Sequence, residues 1–213
     1  DLHSFPTRRS SDLAIMRYRV NGAAPGIESS LCVYRNYGFF SDNRGNVICV
    51  NLNTMRPVWY YNNHDDSDGT MVCREENGTP YLYTACEVDK QGDKGVSHFI
   101  KLNALNGQKV WEQQIVCQRL NLPGKTLDGG MYASPLIGRG DCEDMLFAHV
   151  CRNGASKAVG ELTAFSTKDG HILYTVPYGQ FAWSSPVPFL NERNELFILI
   201  ARSEERRVGK ECR

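Results

Sequence analysis

The chain has 213 residues, of which 41% are hydrophobic, 10% aromatic and 23% charged, and its 24 Lys and Arg balance 24 Asp and Glu to a formal net charge of zero. That balance excludes the basic excess by which proteins hold nucleic acid or anionic membranes, and no apolar run approaches the roughly 18 residues that a spanning helix needs. Eight cysteines occur without a CxxC or a vicinal pair, which excludes zinc-ribbon and thioredoxin-type spacing.

In chain order, the first stretch, DLHSFPTRRSSDL (residues 1–13), and the last, RSEERRVGKECR (residues 202–213), resemble translated sequencing-library adapter in opposed orientations. Both are expected to be non-native tails that pack against nothing, and they are set aside as processing scars are. The remaining 14–201 carries 17 Lys and Arg against 19 Asp and Glu, with seven cysteines: Cys32, Cys49, Cys73, Cys86, Cys117, Cys142 and Cys151. Most of them read as small buried hydrophobes. Cys73 and Cys86 flank a turn at Asn77-Gly78, but about that centre Cys73 faces Leu82, so no bridge is expected within the hairpin.

Residues 16–20 read as a possible outer strand preceding the first full unit. Period-two runs rich in Val, Ile, Tyr, Phe and Thr then predict strands at 29–34, 37–41, 46–51 and 56–61. A second set is predicted at 69–74, 80–86, 97–103 and 108–114, and a third at 131–137, 144–150, 161–166 and 171–176. A fourth set begins at Trp183 and runs into LFILIA. Three stretches align on an aromatic end: GNVICVNLNTMRPVW, SHFIKLNALNGQKVW and GELTAFSTKDGHILY. Before each lies a head, at Ser30, Thr70 and Ser134, with a fourth at Ser185, spaced 40, 64 and 51 residues apart. Such spacing suits propeller blades with variable loops. The expected architecture is all-β, a partial propeller of four-stranded antiparallel blades at about 28–62, 68–115, 130–177 and 183–201.

In the tail motif, Asn106-Gly107 and Asp169-Gly170 supply the positive φ of a tight turn, and the aromatics Trp111 and Tyr174 follow four residues later. Trp59 holds the same place after Met55. A large ring there on an outer strand can lie over the turn of the neighbouring blade, so Trp59, Trp111, Tyr174, Gly107 and Gly170 read as a repeated clasp. These heads and tails resemble the pyrroloquinoline-quinone-type (PQQ-like) β-propeller repeat, whose tail reads Ala-x-Asp-x-x-Thr-Gly-x-x-x-Trp. Ala164, Gly107, Gly170, Thr54, Trp59 and Trp111 match it. Asn51, Asn103 and Ser166 replace its acidic residue.

The resemblance implies an extracytoplasmic bacterial-type protein, of which this chain is a fragment. Quinoprotein dehydrogenases of that fold hold the quinone with a Trp and a vicinal disulfide, and calcium through carboxylates. With no Cys-Cys pair here, the leading expectation is a non-catalytic scaffold without a cofactor. The alternative is part of a PQQ-dependent dehydrogenase holding PQQ with Ca2+, or a propeller joined to a catalytic domain elsewhere. HDDSDGTMVCRE (residues 64–75) approaches a calcium loop with His64 in the first ligand place, and is expected to be a solvated acidic loop between blades. His64, His98, His149 and His171 show no metal-ligand spacing. Residues just before each head should rim the central funnel: Asp66 and Asp68, Asp128 and Tyr132, Phe181 and Trp183. Carboxylates beside aromatics there could take a protein, peptide or glycan ligand, unless Tyr132 and Trp183 simply pack between blades. An incomplete ring is expected to expose apolar faces and to self-associate.

Overall fold

A computed structural model describes residues 17–19, 22, 24–154, 157–179, 182–193 and 195–201; the tails 1–13 and 202–213 lie outside them. The first sheet holds β1 (Cys32–Tyr34), β2 (Tyr37–Ser41), β3 (Asn46–Asn51) and β4 (Arg56–Asn62), in chain order. The next elements are β5 (Val72–Glu76), β6 (Thr79–Ala85), β7 (Glu87–Val88), β8 (Lys94–Asn103) and β9 (Lys109–Gln118), and the second sheet runs β5-β6-β8-β9. A hairpin of β10 (Leu120–Leu122) and β11 (Lys125–Leu127) follows, turned by Pro123 and by Gly124 at φ 74°. Then come β12 (Gly129–Gly130), β13 (Leu136–Ile137), β14 (Met145–Cys151), β15 (Gly160–Ser166) and β16 (Ile172–Gly179). β13 to β16 form the third sheet, which β12 extends from β14 to β7. β17 (Val187–Leu190) and β18 (Leu196–Leu199) pair as a final hairpin. Every pairing is antiparallel.

The middle strands read as near-continuous buried runs, while the outer strands β4, β9 and β16 alternate or face solvent. The core therefore lies between successive sheets. Phe39, Val47 and Cys49 of the first pack on Leu82, Ile100 and Leu102 of the second. Tyr83, Phe99 and Trp111 of the second pack on Leu146, Val150 and Phe165 of the third, and Phe147 and Leu162 of the third meet Ile198 and Ile200. Sheets stacked face to face in chain order are the propeller arrangement.

Three outer-strand aromatics hold one register. Trp59 pairs with Cys49, Trp111 with Lys101 and Tyr174 with Ala164, each next to a β-bulge. Trp59 Nε1 donates to Ala104 O and Trp111 Nε1 to Thr167 O, both at 3.0 Å. Each indole covers the turn glycine of the next sheet: a Cβ at Gly107 would lie 2.6 Å from Trp59, and one at Gly170 2.5 Å from Trp111. Their positive φ of 72° and 77° makes glycine the fitting residue twice over. Met55 adopts the same backbone at φ 53°. Tyr174 is half exposed.

Four readings from sequence need correction. The strands expected from 29 and 131 start only at Cys32 and Leu136, because the amides of Ser30 and Ser134 turn to the next unit's hydroxyls. Residues 17–19 form no strand; Tyr18 instead packs edge-on to Phe40 at 5.6 Å and donates to Asp42 Oδ2. The 64–68 loop is largely buried: Asp65, with no exposed surface, accepts the amides of Asp89, Lys90 and Gln91. Glu75, the last place of that stretch, is held by Tyr34 Oη and Arg35. Cys73 does pair with Leu82. All seven described cysteines are free thiols, and burial pushes Cys49, Cys73, Cys86 and Cys151 up to about 12.

Candidate functional site

The heads meet at one end of the sheets. Ser30 N donates to Thr70 Oγ1 at 2.9 Å, and Ser134 N to Ser185 Oγ at 3.2 Å. Between the second and third heads the backbones themselves touch: a Cβ at Gly69 would lie 2.7 Å from Ala133 O. Four successive units thus meet at their heads, the first with the second and the third with the fourth by a hydrogen bond at the same residue of the repeat. Two residues before each pinned position stand Glu28, Asp68, Tyr132 and Trp183, and these four line a single cleft of about 410 Å3.

Of the rim residues expected from sequence, Asp68, Tyr132 and Trp183 come together in this cleft. Tyr132 is buried at 8% exposure and its hydroxyl donates to Asp128 O, while Trp183 is 66% exposed and meets the Tyr132 ring edge-to-face at 6.4 Å. Tyr132 thus packs inward, and Trp183 keeps a face for solvent or ligand. Asp66 stands behind the cleft, bound to Lys90 Nζ at 3.0 Å. Asp128 lies at 2.5 Å from Arg119 Nε. Phe181 lies outside the described residues.

Two carboxyls escaped the sequence reading. Glu28 needed only the same count of two residues back from Ser30. Glu87 carried no periodic signal, because its burial depends on β7 pairing with Gly130 of β12. Glu87 is 5% exposed with Oε1 unpartnered. Burial first, and then the adjoining Asp68, push it up to about 11, so it holds its proton at neutral pH. Asp68 also raises Glu28, through charge and a shared hydrogen bond. Burial raises Asp66 despite Lys90. The site is therefore an acid-rich pocket roofed by one exposed indole. A cation is the ligand that would relieve the repulsion between Glu28 and Asp68.

No family model matches the sequence, and no curated protein matches it. Solved structures do share its fold. A europium-containing methanol dehydrogenase aligns at TM-score 0.51 and 11% identity, over 86% of this chain and 37% of its own. A quinohemoprotein alcohol dehydrogenase from Pseudomonas putida HK5 aligns at 0.50 and 11%, over 81% and 30%. A third, from Comamonas testosteroni, gives 0.45 and 15%, over 72% and 21%. The chain spans 21 to 37% of the length of these dehydrogenases. At such identity the likeness concerns the fold alone, an all-β propeller of quinoprotein type.

Proposed function

We propose that the chain is a non-catalytic propeller module that binds a cationic group, an ammonium or guanidinium presented by a peptide or protein partner, at the cleft of Glu28, Asp68, Tyr132 and Trp183. The observation that carries this reading is the convergence of two carboxylates and an exposed indole at the same position of four successive repeats. An indole face attracts a cation by about 0.5 to 2 kcal/mol, and the carboxylates add charge attraction that salt should screen. An extracytoplasmic setting belongs to the same proposal.

The quinone of the dehydrogenases fits these residues poorly. It is itself a tricarboxylate, and the head end of this chain gathers Glu28, Asp66, Asp68 and Asp128. Lys90 and Arg119, the cations beside them, are already paired with Asp66 and Asp128. No two described cysteines are adjacent in sequence. No catalytic step is therefore derived through that cofactor.

The reading is tested by fluorescence titration with a lysine-rich peptide and with its acetylated form. Binding should be lost on acetylation, weaken with added salt, and fall about 3- to 30-fold in Trp183→Ala. Equal binding of the two peptides, or no change in Trp183→Ala, would overturn it.

A further inference from the structure

Between the first two sheets the fold assembles three ligand-type side chains that do not line the head cleft and that the sequence keeps far apart. His98 on β8 is opposite Gln114 of β9, so Glu112, two residues along, shares its face as a diagonal neighbour. The buried His98 Nδ1 lies 2.5 Å from Glu112 Oε1. His64 arrives from the linker between the sheets, and its ring lies against that of His98 with centroids 4.2 Å apart and planes tilted by 33°.

The linker is held in place by its neighbours. His64 sits at φ 74°, a left-handed region that an L-residue rarely adopts. Its amide donates to Asn62 Oδ1 at 2.9 Å, and Asn63 Nδ2 donates to His98 O at 3.2 Å. The carboxylate is oriented too: Lys109 Nζ holds Oε2, and Gln114 Nε2 donates to Oε1 at 2.9 Å. One ring nitrogen from each histidine and one oxygen of Glu112 all lie within 4.8 Å of one another.

We propose that His64, His98 and Glu112 form a binding site for a divalent transition-metal ion of the zinc class, with a fourth position open to solvent. The donor set decides the class. Two imidazoles and a carboxylate suit Zn2+ and its neighbours, whereas Ca2+ and Mg2+ ask for six or more oxygens. Lys109 and Gln114 are the outer partners that fix the carboxylate, as such sites require. His64 is exposed, so an ion has a path in. Because His64 lies on the linker that leaves the first sheet while His98 and Glu112 lie on the second, a bound ion would tie that linker to the second blade.

Equilibrium dialysis of the purified chain against Zn2+, with Mg2+ and Ca2+ as controls, tests the proposal. One zinc per chain is expected, with no comparable uptake of the other two ions. Co2+ in its place should give the visible absorption of a four-coordinate site. His64→Gly removes a ligand yet suits the positive φ, and Glu112→Gln preserves shape. Each should melt like the parent without metal and bind zinc at least about 10- to 100-fold more weakly. Failure of the parent to take up zinc, or equal binding by either folded variant, would overturn the proposal.

Discussion

Replacing Trp111 by alanine probes the joint between the second and third sheets. The indole is 8% exposed, covers Gly170, and meets Phe99 edge-on at 5.6 Å and Tyr83 at 6.0 Å. Truncation should therefore cost about 3–5 kcal/mol, as removal of a buried aromatic does. The lost hydrogen bond adds little, because Thr167 O still accepts from Lys101 Nζ at 3.1 Å. Tyr174 provides the internal control: same register, 47% exposed, and so a change of about 0.5 kcal/mol or less expected for Tyr174→Ala. Gly170→Ala drives a methyl into the indole at a positive φ and should cost more than about 1 kcal/mol. Part of that cost should vanish in the Trp111→Ala background. Urea unfolding of the four variants gives these numbers. A loss below about 0.5 kcal/mol for Trp111→Ala, or equal losses at positions 111 and 174, would refute the packing argument.

Glu87 should make stability depend on pH. Its folded value is raised from the ordinary 4.5 to about 11, so between those values the folded chain holds a proton that the unfolded chain releases. Stability contributed by this group is full below about 4.5 and falls as pH rises, by up to about 1.4 kcal/mol per unit. Glu87→Gln should thus be the more stable protein at pH 8, with the gap closing toward pH 5. Burial holds His149 down at about 4, which acts in the opposite sense below pH 6.5, so the difference between the two melting curves is the readout. Parallel curves would refute it. The chain is also expected to self-associate, since Val187, Phe189, Leu190, Phe197 and Leu199 of the last hairpin are each 46 to 60% exposed and such surface drives association. Light scattering over a concentration series checks this; a monomer throughout, melting cooperatively, would contradict it.

The strands β2 and β3 could be delimited from sequence because polar turn residues, Arg35-Asn36 and Asp42 to Gly45, bracket alternating apolar runs. The outer-strand register was legible because the aromatic keeps a fixed distance from the turn residue, even where Met55 stands for glycine. The heads misled: SSL and MYASP have strand composition, but their amides are spent on the next unit. Two-residue contacts such as β7 with β12 have no period to detect, so Glu87 could not be placed. His64 and His98 meet only because the linker folds back across a sheet, which no spacing rule encodes. The cleft was partly legible, since position relative to the head is a local count and charge is visible in the sequence.

The Trp-on-glycine joint has a bearing on how such a chain can change. The second unit carries both halves of it, a turn at Gly107 that receives Trp59 from the unit before and a ring, Trp111, that it extends over Gly170 of the unit after. Because donor and receiver lie in this one unit, duplicating or deleting it leaves the remaining indole-on-glycine joints matched. Heterologous contacts of this kind close into rings or run on as open arrays according to the angle between units alone. Unit number can then change with no new contact surface to invent.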